Sequence, residues 1–316
     1  MKVRDMVRQY IVYRRAIGDK FESAEEMLNT FVKYVGEDAD IQSITSEVCE
    51  KYLVGDDHGS TRRWLTRHMV LNGLFKWAIA REILSHNPLP KDKPREPEHM
   101  KPYIYSNDEL RLLFDCALKY QRGRCVCYPE SMQCILRLTY MLGLRIRETL
   151  NIKISDIDMK EQTIYIQCSK FFKSRIVPYN TQVQSVLQEY ITWRGSNGQP
   201  MRPDSLLFLD RSGNALRVSA IEHNYARVRK LAGIKRDDDS PYQPRIHDLR
   251  HSFAVHRLTA WYDDGVDVQK MLPVLSTYMG HSQLAHTSIY LTMTDRLLGL
   301  ANNRFEIYAM GGMNHE

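Results

Sequence analysis

Apolar residues recur at helical spacing along most of this chain. Val3, Val7, Tyr10 and Ile11 form one stripe. Leu28, Phe31, Val32 and Val35 form a second, and Ser23 with Glu26 three residues on predicts a capping box that opens that helix. Thr45-Ser46 predicts the cap of a short helix through Val48, Tyr52 and Leu53. Ser60 or Thr61 starts a long one that carries Trp64, Leu65, Met69, Leu71, Leu74, Phe75, Ala78 and Ile79. The other face of that helix shows Arg62, Arg63, Arg67 and Lys76. Such a face is either the solvated side of a four-helix bundle or a set of phosphate contacts with DNA.

The helical pattern stops at residues 87–102, NPLPKDKPREPEHMKP, where five prolines stand among charges. That composition predicts an interdomain linker. Beyond it, Ser106-Asn107-Asp108-Glu109 is a helix start before Leu110, Leu112 and Leu113, and a strongly apolar helix follows around Ile135–Leu142. The period then changes. Thr163–Cys168 and Arg175–Tyr179 read as two strands of a hairpin, and Leu206–Leu209 as another short strand before the Arg211–Asn214 turn. Helical spacing returns to the end. The chain shows no internal repeat and no low-complexity tract. The pattern predicts a mainly α protein with a small antiparallel β-sheet: a helical N-terminal domain over 1–86, a linker over 87–102, an α+β domain over 103–296 and a tail over 297–316.

Composition narrows the class. A chain of 316 residues fits two domains, and 43% hydrophobic with 26% charged residues is the balance of an ordinary globular protein. No apolar run approaches the ~18 residues of a membrane span. The N-terminus lacks the apolar core of a secretory signal, so the expected location is the cytoplasm. Six cysteines without a regular framework read as reduced thiols, and Cys125-x-Cys127 is too tight for a zinc knuckle. The net charge of +6 is unevenly spread: residues 1–100 hold 16 basic and 16 acidic side chains, whereas residues 101–316 hold 28 and 22. This suits a polyanionic partner without demanding one.

Four stretches carry candidate chemistry. Gly143-Leu144-Arg145-Ile146-Arg147-Glu148 breaks the apolar helix and sets an arginine just after the break. Lys170 and Lys173 lie in the hairpin turn. His247 and Arg250 are i and i+3 on one predicted helix, in His247-Asp248-Leu249-Arg250-His251. Gly280-His281 is followed nine residues later by Tyr290. Taken singly, each has an ordinary structural explanation. Together they suit phosphodiester chemistry, whose barrier is on the order of 20 kcal/mol. Arginine forks grip phosphate oxygens at any working pH, and fixed cations can replace divalent metals. Imidazoles exchange protons near neutrality, and a tyrosine beside cations can act as a nucleophile. The Asp237-Asp238-Asp239 run has no supporting carboxylate motif and reads as a solvated loop, so no metal is expected.

The ordered set of motifs resembles the tyrosine recombinase (phage integrase) family over roughly residues 103–295. The resemblance implies that Arg145 and Arg250 clamp the scissile phosphate and that Glu148 buttresses Arg145. Lys170, preferred to Lys173 for its distance from the Arg175-x-Val177-Pro178 strand, would be the general acid. His247 and His281 would bind the phosphate, with His247 the preferred proton acceptor, and Tyr290 would form a 3′-phosphotyrosyl link that conserves bond energy. No cofactor is then expected, in keeping with the absence of a GxxxxGK[ST] loop. The N-terminal helices look like the family's core-binding domain, starting near residue 2 with no arm-binding domain expected before them. Arg62, Arg63, Arg67, Lys76, Lys173 and Arg175 are the expected DNA contacts. The partners implied are double-stranded DNA and three further copies in a tetramer on two duplexes, with the tail expected to exchange between subunits. A type IB topoisomerase and a DNA-binding accessory protein without activity are the alternatives. Two departures stand out. Arg250 and His281 are 31 residues apart, with the surplus at Trp261–Asp264 and Lys270–Pro273, which resembles integrases of transposon-like elements. Leu291-Thr292-Met293 follows the tyrosine where many relatives have a Thr-His pair.

Overall fold

A computed structural model describes residues 1–19, 21–55, 61–95, 101–121, 125–167, 174–238, 240, 242–281, 283–293 and 297–299. The chain divides into two compact units, Met1–His99 and Met100–Glu316.

In the first unit, α1 (Val3–Ala16) buries Val3, Met6, Val7, Tyr10 and Ile11, the i, i+3, i+4 stripe of an amphipathic helix. Helices α2 (Glu22–Val35), α3 (Ser46–Val54) and α4 (Thr61–Ile79) close the core through Leu28, Phe31, Leu53, Leu71, Leu74 and Phe75. Thr45 caps α3 by accepting from Val48 N at 3.3 Å. The predicted cap of α2 is displaced. Its cap position is Phe21, in the left-handed region at φ 36°, and Ser23 lies inside the first turn. The start of the proline-rich segment packs on this unit: Asn87 Nδ2 donates to Asn72 Oδ1 at 3.0 Å, and Leu89 is buried in the same core.

The second unit is built on α5 (Asn107–Ala117), α6 (Pro129–Met141), α7 (Ile146–Leu150), α8 (Thr181–Ser196) and α9 (Val218–Leu231), followed by α10 (Asp248–Asp263), α11 (Val268–Met279) and α12 (Ala285–Ser288). Helix α5 starts at the predicted Ser106–Glu109 stretch, where Ser106 and Glu109 close a capping box. A three-stranded antiparallel sheet, β1 (Ile157–Asp158), β2 (Thr163–Ile166) and β3 (Arg175–Pro178), lies in chain order, with Ile164 opposite Val177 and Ile166 opposite Arg175. Strand β1 was not legible in the sequence. Among the described residues the Leu206–Leu209 segment makes isolated bridges, Lys153 with Leu206 and Leu209 with Ala215, instead of a named strand, and Leu207 and Phe208 lie in the core. The surplus residues between Arg250 and His281 lie in helices: Trp261–Asp263 end α10, and Lys270–Pro273 lie in α11. Asp238 is paired with Arg236 at 2.6 Å, and Asp239 lies outside the described residues. The five described cysteines are free thiols. Among the described residues no helix is long and apolar enough to cross a membrane, and no cluster of metal-ligating side chains is present.

Candidate active site

The site grows from two glycines. Gly143 ends α6 at φ 59°, and an added Cβ there would meet Phe253 Cδ1 at 2.4 Å, so only glycine lets the chain turn this close to α10. The turn sets Arg145 at the cap of α7 and aims the Gly143 carbonyl at Arg250. Gly280 caps α11 in the left-handed region at φ 69°, and its missing Cβ makes room for the Arg175 guanidinium, whose Nη1 would otherwise lie 2.9 Å away.

Three arginines then converge on Glu148, which is buried at 6% exposure. Arg145 donates to it through Nη1 at 2.7 Å, and Arg175 through Nη2 at 2.9 Å and Nη1 at 3.1 Å. Arg250 Nη1 stands 3.9 Å from it. Burial alone would raise the carboxyl's pKa, but the bonds from Arg175 and the charges of Arg175 and Arg145 overrule it and lower the pKa to about 2. Each arginine also donates to one of the carbonyls at the end of α11. Arg145 Nη2 donates to Gly280 O at 3.0 Å, Arg250 Nη2 to Met279 O at 2.7 Å and Arg175 Nε to Tyr278 O at 2.8 Å. Burial, then the charge of Arg145, lowers the pKa of Arg250 to about 10, so it remains a cation at neutrality.

Tyr290 sits in a short 3-10 turn (Ile289–Thr292), 2% exposed, within the core made by α10 and α11. Burial raises the pKa of its phenol, while the charges of Arg250 and Arg145 pull the other way. Its hydroxyl lies 3.1 Å from His251 Nδ1. The His281 ring stacks on it at 6.2 Å between centroids and 26° between planes, with His281 Nδ1 held 2.8 Å from Thr287 Oγ1. His247, at the N-cap of α10, meets the His251 ring edge-on at 4.8 Å and 90°. All three imidazoles have lowered pKa values, first from desolvation, and then from His251 and Arg250 at His247 and from nearby arginines at His251 and His281. His251 falls to about 4 and His281 to about 3. His247 keeps an exposed side, and water there tempers its shift.

Arg145, Glu148, His247, Arg250, His281 and Tyr290 are thus gathered in one site. Three expectations change. Arg175, read as a DNA contact, turns all its donor nitrogens inward to Glu148 and Tyr278. Arg67 likewise turns inward: it donates to Tyr52 O at 2.6 Å and lies over the Tyr52 ring at 4.7 Å. Tyr290 bonds to His251, one turn along α10 from His247, which had been its expected partner. His251 lies in the His247–His251 stretch, and its spacing does not say which of the two histidines the tyrosine meets. Arg62, Arg63 and Lys76 are exposed on α4. Lys170 and Lys173 lie outside the described residues.

A helical domain whose paired arginines, histidines and buried tyrosine share one site defines an enzyme of phosphodiester exchange. The family model described as "Phage integrase family" matches residues 106–296, and the chain belongs to that family. It is a tyrosine site-specific recombinase. It is 31% identical over 305 residues to a Sinorhizobium fredii (strain NBRC 101917 / NGR234) protein designated integrase/recombinase y4rB, covering 96% of each chain. It is 27% identical to tyrosine recombinase XerC of Bacillus subtilis (strain 168), over 88% of this chain and 85% of the relative. The fold resembles that of the Tn1549 transposon integrase in complex with transposon right end DNA, with a TM-score of 0.68, 17% identity and coverage of 98% of this chain and 100% of that one. It also resembles a lambda integrase tetramer bound to a Holliday junction, with a TM-score of 0.67, 17% identity and coverage of 94% and 78%.

Proposed function

We propose that Arg145 and Arg250 clamp the scissile phosphate of a DNA strand while Tyr290 attacks its phosphorus, holding the 3′ end as a phosphotyrosyl ester until a 5′ hydroxyl rejoins it. One observation carries this assignment: two guanidiniums from distant parts of the chain are fixed on the Gly143, Met279 and Gly280 carbonyls, close enough for both charges to act on the Tyr290 phenol. Fixed donors offset charge on a five-coordinate phosphorus without reorganising during the reaction. Glu148 holds the arginines together against their mutual repulsion. Lys170 supplies the proton for the leaving 5′ oxygen, a role taken from the family resemblance. His281 and His247 bind the remaining phosphate oxygens.

Exposed Arg62, Arg63 and Lys76 on α4 support the reading of residues 1–86 as a DNA-gripping domain. The assembly we infer is a tetramer on two duplexes, acting for a mobile element as an integrase or transposase, with residues 297–316 exchanged between copies. Leu297 is buried among the α10 and α11 side chains, and the tail beyond Gly299 lies outside the described residues. A groove of about 530 Å³, lined by Tyr140, Phe253, Trp261, Val274, Leu275 and Tyr278 among others, gives an apolar segment a place to dock.

The test is incubation with a pool of nicked, sequence-randomised duplexes, followed by denaturing gel electrophoresis. Wild type is expected to leave a protein–DNA adduct that is lost in Tyr290→Phe. No wild-type adduct, or the same adduct in the variant, would refute the assignment.

A further inference from the structure

The hydrogen bond that Tyr290 makes asks what removes its proton. The phenol is buried in an apolar core, where ionisation is costly, so cleavage needs an acceptor in place before the attack. We propose that His251 is that acceptor: its Nδ1 takes the phenolic proton of Tyr290 as strand cleavage begins. The proposal rests on the phosphotyrosyl reading above and adds a residue to it.

Geometry selects His251 over its neighbours. With a proton on Nε2, its Nδ1 lone pair meets Tyr290 Oη at 3.1 Å, within direct transfer distance. The Nδ1 of His281 is taken up by Thr287 Oγ1, and that ring lies flat against the tyrosine at 26°, so its nitrogens do not point at the hydroxyl. His247 meets the edge of the His251 ring, and it is His251 that bonds to the Tyr290 hydroxyl. The helix explains the difference: positions 247 and 251 are four residues apart on one face of α10, and the second is a turn deeper, against the 3-10 turn of Tyr290. The groups that act on His251 are His247 beside it, Tyr290 from the 3-10 turn, and the charges of Arg245 and Arg250. Burial, and after it the charges of Arg245 and Arg250, keep the ring neutral at physiological pH, so its lone pair is available. A phosphate bound between the arginines brings negative charge that favours the imidazolium once it forms.

The step balances. The Oη–phosphorus bond forms as the phosphorus–O5′ bond breaks. The phenolic proton passes to His251 Nδ1, and the departing 5′ oxygen takes a proton from a separate acid. Rejoining runs both transfers in reverse. His247 is thereby left to the phosphate.

The experiment is single-turnover cleavage of a nicked duplex recovered from the adduct pool, with wild type, His251→Asn and His251→Ala. Asparagine can offer an oxygen near the Nδ1 position, so it keeps the hydrogen bond and cannot take the proton. His251→Asn is expected to bind DNA as wild type does but cleave about 100-fold more slowly at pH 7, the span of lost general-base catalysis. That deficit is expected to shrink as pH rises toward 9, because solvent then generates the phenolate, and to persist on a duplex with a sulfur-bridged 5′ leaving group, which needs no acid. Added imidazole is expected to speed His251→Ala. Cleavage by His251→Asn within about threefold of wild type, a deficit that the sulfur leaving group abolishes, or His251→Ala unmoved by imidazole would each overturn the assignment. A wild type that forms no adduct would instead sink the phosphotyrosyl reading itself.

Discussion

Glu148 shows how one side chain can organise a site without touching substrate. Removing its charge leaves Arg175 and Arg250 buried against each other with no anion between them, so Glu148→Gln is expected to lower unfolding free energy by about 3 kcal/mol in urea titrations. Its titration also predicts acid behaviour. The folded pKa, about 2, lies below the ordinary 4.5, so the unfolded chain takes up the proton first. This contribution is present above pH 4.5 and is lost as pH falls from there toward 2. The imidazoles add an earlier loss. His251 at about 4 and His281 at about 3 lie below the ordinary 6.5, so the unfolded state binds protons first as pH drops below 6.5. The urea midpoint is therefore expected to be lower at pH 5.5 than at 7.5, and an equal or higher midpoint at 5.5 would contradict the burial described. At this scale the motifs made Arg145, Arg250, His281 and Tyr290 legible. Arg175 was not, because strand alternation says which face a side chain takes and not whether an acid waits beneath it. His251 was not, because its partner arrives from a turn of chain 39 residues away.

Elements were read well where a local signal fixed them and poorly where tertiary contacts did. The Ser106 box and the Thr45 cap follow from side chains that satisfy the first N–H groups of their helices. At α2 the left-handed Phe21 sets the start, with its ring edge-on to Tyr10 at 5.5 Å, and no sequence rule placed it there. Strand β1 has only two residues, too few for an alternating pattern. The α6–α7 break is the element on which the site depends. Gly143→Ala would place a methyl against the Phe253 ring in a backbone conformation L residues avoid. The expected cost is about 3 kcal/mol of stability, together with loss of cleavage because the Gly143 carbonyl is a partner of Arg250. Unchanged stability and cleavage in this variant would show that the turn is not held as described.

At the scale of the molecule, the division into units after His99 falls inside the proline-rich segment 87–102. The excess of basic residues lies wholly after residue 100, in the part that carries the arginine site. If phosphate contacts dominate DNA binding, the logarithm of affinity should fall linearly with the logarithm of salt concentration, as counterions released by each contact are recaptured. Fluorescence anisotropy with a labelled duplex between 50 and 300 mM salt measures that slope, and a flat response would remove the electrostatic clamp.

The central claim is that one buried phenol becomes the temporary owner of a broken DNA end. Trapping the adduct on a nicked duplex, digesting protein and DNA, and sequencing the nucleotide-bearing peptide by mass spectrometry tests it most directly. A nucleotide joined through its 3′ phosphate to Tyr290 is expected. A nucleotide joined through its 5′ phosphate, or carried by any other residue, would contradict it.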